Sequence, residues 1–378
     1  MISLKSKYDC CGCEACAQRC AHNAIKMVQD NEGFLYPQID EQICTRCGLC
    51  EKVCPIINQT DSKTPIATYA AKNKNEAIRL NSSSGGIFTL LAIKTINNGG
   101  AVFGAKFDEQ WNIVHDYIET IDDLAKLRGS KYVQSQIGKC YRIAESFLKN
   151  GREVLFSGTP CQIAGLKKYL IKEYHNLICV DIICHGVPSP MVWQRYINEF
   201  KNRTKLSHVS MRDKTNGWKK FGLIINSLDK CICNETLSEN IFLKVFLKNL
   251  CLRPSCYKCS TLSGKSNSDI TIADFWGIQN IHPEFDDDKG CNLVIVNSEK
   301  GLELFNSLDN CEKIETDFEK AISYNPSYFK SVAEPKYRKY FFDNFDRFGF
   351  AIYNKIQRKQ QPSLIRRIAS RIKKTILK

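Results

Sequence analysis

Residues 10–20 read CCGCEACAQRC and residues 44–54 read CTRCGLCEKVC. Both hold cysteine in the spacing C-x2-C-x2-C-x3-C, repeated at a constant offset of 34 residues. Three thiolates spaced by two residues wrap one face of a four-iron cube, and a fourth, a turn later, reaches a neighbouring cube. The rhythm therefore assigns Cys10, Cys13, Cys16 and Cys54 to one 4Fe-4S cluster and Cys44, Cys47, Cys50 and Cys20 to a second. Cys11 stands apart, because its counterpart under the offset is Thr45, which is no thiolate ligand. Zinc is the competing reading of the same cysteines, but it closes on four ligands drawn from two pairs and has no use for an x2-x2-x3 rhythm.

Between the two runs, residues 24–28 and 34–36 read as short strands joined by the turn Asp30-Asn31-Glu32-Gly33, a hairpin beside the clusters. Over residues 5–57 the chain resembles a bacterial two-cluster ferredoxin. Pro55 follows the last cysteine as in that family, whereas Ala21 stands where the first run would carry proline, a departure in a turn and not in a ligand.

With 378 residues, 43% apolar and 25% charged, and a mean hydropathy of -0.31, the chain reads as a soluble globular protein of two or three domains. Disordered and fibrous classes are excluded. No apolar run approaches the roughly 18 residues of a membrane span, and the opening Met1-Ile2-Ser3-Leu4-Lys5 is too short for a signal peptide, so a cytoplasmic location is expected. In a reducing compartment, 20 cysteines point to metal or redox chemistry. Nine Lys or Arg of the net +14 fall in residues 354–378, which contain no acid. Three four-thiolate clusters, each adding about two negative charges, bring the rest of the chain near neutrality. A nucleic-acid partner is therefore not expected.

The organisation expected is a cysteine-rich domain over 1–60, the two parts 61–150 and 151–350 of a larger mixed α/β domain, and a basic tail over 354–378. Ser84, Gly85 and Gly86 run into an apolar helical pattern that stops at Asn97-Asn98-Gly99-Gly100. Free amides, small side chains and the positive helix end there make a candidate phosphate cradle, although such residues also simply cap helices. Gly129, Ser130, Lys131 and Tyr132 form a loop whose lysine could hold a phosphate or sit beside a flavin; an ordinary polar loop is the plain alternative. Residues 153–157, 160–170 and 177–183 read as a βαβ unit, whose two loops leave the same sheet edge with one cysteine each, Cys161 and Cys184. With Cys256 and Cys259 they make a four-thiolate set for a third cluster where α/β sheets bind ligands, Cys251 being a competing fourth ligand. Cys140, Cys179, Cys231, Cys233, Cys291 and Cys311 are taken as structural thiols.

The strings SSSGGIF, RGSKYVQS, FSGTPCQIAGLK, ICHGVPSP, SCYKC and DITIADFWG, in that order, resemble the family of coenzyme F420 hydrogenase/dehydrogenase beta subunits in its form fused to a two-cluster ferredoxin domain. The resemblance covers about residues 5–345, with Ala273 where the family often has glycine. It implies FAD bound by the Ser84-Gly85-Gly86 turn and the Gly129-Ser130-Lys131-Tyr132 loop, and a 4Fe-4S cluster on Cys161, Cys184, Cys256 and Cys259. Lys131 would then stabilise anionic reduced flavin, and His185 would deliver a proton or merely be hydrogen-bonded in its loop. The family does not fix the substrate, and similar fused proteins accompany cell-surface polysaccharide assembly.

These readings combine into an iron-sulfur flavoprotein oxidoreductase. It would couple one-electron transfer with an external ferredoxin-like carrier or redox partner subunit to hydride chemistry on a small molecule. The alternative is a non-catalytic electron-transfer subunit of a larger complex; a flavin-free iron-sulfur scaffold is a third. In the tail, Ser363 caps a pattern with Ile365, Ile368, Ala369, Ile372 and Ile376 on one face and cations on the other. A helix over 363–378 of that kind would lie on an anionic membrane or dock on protein.

Overall fold

A computed structural model describes residues 2–360. In the N-terminal domain, β1 (Ile25–Gln29) and β2 (Leu35–Ile39) pair antiparallel, Val28 opposite Tyr36, close to the expected hairpin. Asp30 Oδ1 shapes the turn by accepting the amides of Glu32 (3.0 Å) and Phe34 (2.9 Å). The cysteine repeat is also a backbone repeat. Helices Ala15–Arg19 and Leu49–Lys52 both start from a left-handed residue, Glu14 (φ 62°) and Gly48 (φ 76°), which are counterparts under the 34-residue offset. Glycine adopts this conformation without strain, while Glu14 is held there by its side-chain bonds.

The larger domain is built on one eight-stranded sheet. Its strands are β3 (Ala67–Asn73), β4 (Ala101–Phe107), β5 (Ile113–Ile118), β6 (Val154–Ser157), β7 (Leu177–Ile182), β11 (Ile270–Asp274), β12 (Asn292–Val296) and β13 (Cys311–Glu315), in the order β13-β3-β12-β11-β7-β6-β4-β5. The central four, β11-β7-β6-β4, are parallel; β5 and β12 flank them antiparallel. Strands from both sides of residue 150 share this sheet, so the stretches expected at 61–150 and 151–350 are parts of one domain. β8 (Leu206–Asp213), β9 (Gly222–Ser227) and β10 (Cys231–Thr236) form a separate antiparallel sheet.

Period-two alternation explains the layers. Val154 and Phe156 face helices Cys140–Lys149 and Pro160–Leu170, and that core runs on into Cys11, Cys13, Ala15 and Val53 of the N-terminal domain. Leu155 faces the other way, packing with Leu90 and Leu91 of helix Ile87–Asn97 and with Phe305. The last described helix, Ala351–Gln360, buries Ile352 and Ile356. The amphipathic pattern over 363–378 lies outside the described residues. Among the described residues no helix is long and apolar enough to cross a membrane.

Candidate iron-sulfur and flavin site

The two N-terminal cysteine sets occupy different depths. Cys13, Cys16 and Cys54 are buried, and Cys10 is partly so. Burial pushes the Cys16 thiol up to about 12, with Cys10, Cys54 and Cys50 adding to the rise, which places these sulfurs around one another. The second set borders a shallow, solvent-open hollow lined by Cys20, Cys44, Cys47 and Cys50 with Ile25, Ile39, His22 and Arg46. Backbone amides already point at the sulfurs: Ala24 N–H to Cys20 Sγ and Ile2 N–H to Cys50 Sγ, both at 3.3 Å. Four cysteines around one hollow fit a cube of iron and sulfide. Zinc, with bonds of about 2.3 Å, would draw its thiols to within about 3.8 Å of each other. Among the described residues no group of three or more His, Cys, Asp or Glu is placed to hold a single ion. Cys47 is exposed, so the second set reaches the surface, while most of the first is buried.

The third set gathers where the sequence places it. Cys161 sits in the first turn of helix Pro160–Leu170, whose N-cap Thr159 forms a capping box with Gln162. Cys184 follows β7, and Cys256 lies in the 3-10 turn Pro254–Lys258 with Cys259 at its end. The Cys184 thiol is raised well above the usual range by burial, then by Cys256, Cys161 and Cys259 in turn. Burial likewise pushes Cys256 up to about 12, although the Val187 amide, 3.4 Å from its sulfur, opposes the rise. Such thiols are protonated at neutral pH until iron displaces the proton. Cys251 is fully buried among Val192, Leu243 and Leu250, and none of the four facing cysteines acts on its thiol. The structure thus leaves Cys251 in the core and sets Cys161 beside the other three.

Cys11 stands between the first and third sets, its buried thiol close enough to those of Cys13 and Cys161 for each to shift its titration. Close approach of the domains there depends on Gly165, where a Cβ would lie 2.7 Å from Cys13 Cβ. Sequence reasoning passed over the groups that hold this junction. Gln134 Nε2 donates to Cys11 O (2.9 Å), and Ser135 Oγ accepts from Gln162 Nε2 (2.9 Å) and contacts His115 Nδ1 (2.9 Å). The end of the RGSKYVQS string therefore serves the cysteine junction. Arg253 was passed over as well; its place directly before Pro254 and the SCYKC string was the available signal.

The two segments implied for FAD meet: Ser83 Oγ accepts from the Ser130 amide (2.6 Å) and contacts its hydroxyl (2.8 Å). Gly86 (φ 84°) starts helix Ile87–Asn97, and a Cβ on Gly85 would lie 2.5 Å from Ala71 O. Ser84 Oγ donates to Cys291 O (2.7 Å), and the first helical amide, Ile87, donates to Asn292 Oδ1 (3.2 Å). Arg212 Nε donates to Ser83 O (3.0 Å) and Nη1 to Tyr132 Oη (2.9 Å), while Nη2 lies 2.8 Å from Asp274 Oδ2. The open glycine at 129 leaves room there, but the Arg212 donors, the Ser84 hydroxyl and the Ile87 amide are all taken within the chain, so the free helix-start amide expected for a phosphate is already paired with Asn292. Lys131 likewise spends its ammonium donors on the carbonyls of Leu127 (3.1 Å), Arg128 (3.0 Å) and Gly129 (3.2 Å), and burial pushes its pKa down to about 7. His185 Nε2 is bonded to Asn249 Oδ1 at 2.7 Å, with its ring edge-on to Phe246.

Known proteins place these features in a common frame. Residues 9–56 match a 4Fe-4S dicluster domain, residues 68–141 the N-terminal part of the coenzyme F420 hydrogenase/dehydrogenase beta subunit, and residues 151–321 its C terminus. The chain is 24% identical over 323 residues to the coenzyme F420-dependent sulfite reductase of Methanocaldococcus jannaschii, covering 81% of this chain and 48% of that protein. It is 26% identical over 199 residues to one of the subunits of the F420H2 dehydrogenase of Methanosarcina mazei, covering 47% of this chain and 55% of that one. The chain spans about half the length of the curated relatives it matches. A chain of the F420-reducing nickel-iron hydrogenase complex from Methanosarcina barkeri is similar in structure, with a TM-score of 0.47 and 16% identity over 70% of this chain and 90% of that chain. Because both parts of one subunit are matched in order across the eight-stranded sheet, behind a dicluster domain, the chain belongs to the family of coenzyme F420 hydrogenase/dehydrogenase beta subunits.

Proposed function

We propose that this chain is a redox subunit that moves electrons one at a time between an external carrier or partner subunit and a two-electron centre in its own larger domain. The observation that supports the reading most is the buried Cys11 thiol standing beside both Cys13 of the first cysteine set and Cys161 of the third. Cys10, Cys13, Cys16 and Cys54, then Cys20, Cys44, Cys47 and Cys50, then Cys161, Cys184, Cys256 and Cys259 would each hold a 4Fe-4S cluster; Ser84, Gly85, Gly86, Gly129, Ser130 and Tyr132 would hold FAD. Bound together, these groups supply one-electron storage and its conversion to hydride transfer on a small molecule. The chain's own part is to bury most of the first set, bring the second to the surface at Cys47 and hold the first beside the third. Arg212 and the serine pair fix the two loops that would border the FAD phosphates, and Asn249 orients His185. A self-contained reductase of a small molecule, in polysaccharide assembly or elsewhere, is the second reading.

Anaerobically purified protein should carry about twelve iron atoms per chain, four for each cluster. Cys161→Ala should lose about four of them and Cys251→Ala none, as iron analysis reads directly. The reverse result would overturn the ligand assignment. Release of FAD on denaturation tests the flavin. Reduction of a small acceptor by the isolated chain separates the self-contained reductase from the subunit.

A further inference from the structure

We propose that Arg253 sets the reduction potential of the cluster ligated by Cys10, by holding a fixed positive charge against the Cys10 sulfur at the seam between the two domains. The proposal rests on the iron-sulfur reading above.

Arg253 is fully buried, at 0% exposure. Its Nε donates to Cys10 O (2.8 Å), Nη1 to Gln134 Oε1 (2.9 Å) and Nη2 to Leu35 O (2.9 Å), and Nη2 also donates toward Cys10 Sγ at 3.6 Å. The guanidinium carbon lies 4.3 Å from the centre of the Tyr36 ring and 5.4 Å from that of Phe34. On its other side the Arg253 carbonyl accepts the Cys256 amide at 3.0 Å. One side chain therefore touches the first cysteine set while its backbone carries the third. Gly12 is cut to fit it: a Cβ there would lie 2.7 Å from Nη1.

A buried cation is costly unless it is paired, and among the described residues no carboxylate forms an ion pair with Arg253. The negative partner that the geometry offers is the Cys10 thiolate and the cluster it would ligate. An oxidised cube on four thiolates carries about two negative charges and the reduced cube about three. The step is one electron from a reduced one-electron carrier, with no bond made or broken and no proton moved. Because it adds negative charge beside a cation in a low-dielectric seam, the reduced state gains more from Arg253 than the oxidised state does. A purely mechanical role, tying three carbonyls together, predicts no change in potential.

An EPR-monitored redox titration distinguishes the two. Arg253→Gln should keep about twelve iron atoms while one N-terminal cluster becomes at least tenfold harder to reduce, about 59 mV for a one-electron couple. Arg253→Lys, which keeps the charge, should recover most of that shift. Full iron with unchanged potentials in Arg253→Gln would overturn the proposal. If Arg253→Gln loses iron, wild-type protein labelled with 15N-arginine decides. Pulsed EPR of its reduced clusters should show a 15N coupling, since Arg253 is, among the described residues, the arginine that donates to a cysteine sulfur. No coupling would also overturn the proposal. Wild-type protein lacking about twelve iron atoms would instead refute the underlying cluster reading.

Discussion

Asp181 shows how a single residue gives the large domain a pH-dependent stability. It lies on β7, fully buried, and its partners are hydroxyls: Ser266 at 2.6 Å, Thr271 at 2.6 Å and Ser268 at 2.9 Å. Burial pushes its pKa up to about 6, against the opposing pull of those three donors. The folded chain therefore keeps a proton that the unfolded chain releases near pH 4. Stability from this site is fully present below about pH 4 and is lost as pH rises through about 6, by about 3 kcal/mol in all. Asp181→Asn should remove that decline. In anaerobic thermal denaturation the variant should gain on the parent at pH 8 and gain far less at pH 5; equal gains at both would show that the carboxyl does not titrate in the folded chain. The same scale marks what the sequence discloses. Cysteine ligands are legible because the cube dictates their spacing, whereas Arg253 and Asp181 have partners up to 243 residues away that no local pattern encodes.

Between elements, the decisive contact is a helix of one domain capping a helix of the other. Glu14, at the start of helix Ala15–Arg19, accepts the amides of Ile137 (2.8 Å) and Gly138 (3.1 Å), and Gln18 accepts that of Tyr141 (3.1 Å). These are the free donors ahead of and within the first turn of helix Cys140–Lys149, where a carboxylate is favoured. Arg142 Nε answers by donating to Gln18 O at 2.6 Å. Glu14→Ala would leave the buried Ile137 amide unpaired, at about 1–3 kcal/mol, and would return the Gly138 amide to water. It should loosen the N-terminal domain, seen as faster proteolysis after residue 60 with the iron of the third set retained; unchanged proteolysis would deny the cap its role. The βαβ unit was legible to within a residue at its strand ends, since alternation and the Thr159-Pro160 start are local signals. The sheet order was not legible, because β3 pairs with β12 and β13, more than 200 residues on.

Across the whole molecule the second cysteine set is the one with an exposed member, Cys47, and under the proposed function that is where electrons would be exchanged. Cys47 and its neighbours Thr45 and Arg46 are exposed, whereas Cys13, Cys16 and Cys54 are buried and Cys161, partly buried, lies beside Cys11. Ile43 (48% exposed) and Ile57 (55% exposed) stand on the same N-terminal domain as apolar groups facing water, the kind of contact a transient partner covers. Arg46, directly beside the exposed Cys47, puts a positive charge next to that sulfur, with Asp40 and Glu41 the exposed acids farther along the stretch. An acidic one-electron carrier would be steered there, and opposing charge at a rim acts mainly on the rate of encounter. Arg46→Glu should therefore slow reduction by such a carrier several-fold at low salt and much less at high salt, as stopped-flow spectroscopy would record. Reduction by dithionite, a small reductant that needs no docking surface, and the iron content should stay as in the parent. If the carrier reduces both proteins equally fast at low salt, electrons enter elsewhere, and the second cysteine set is an outlying store and not the port.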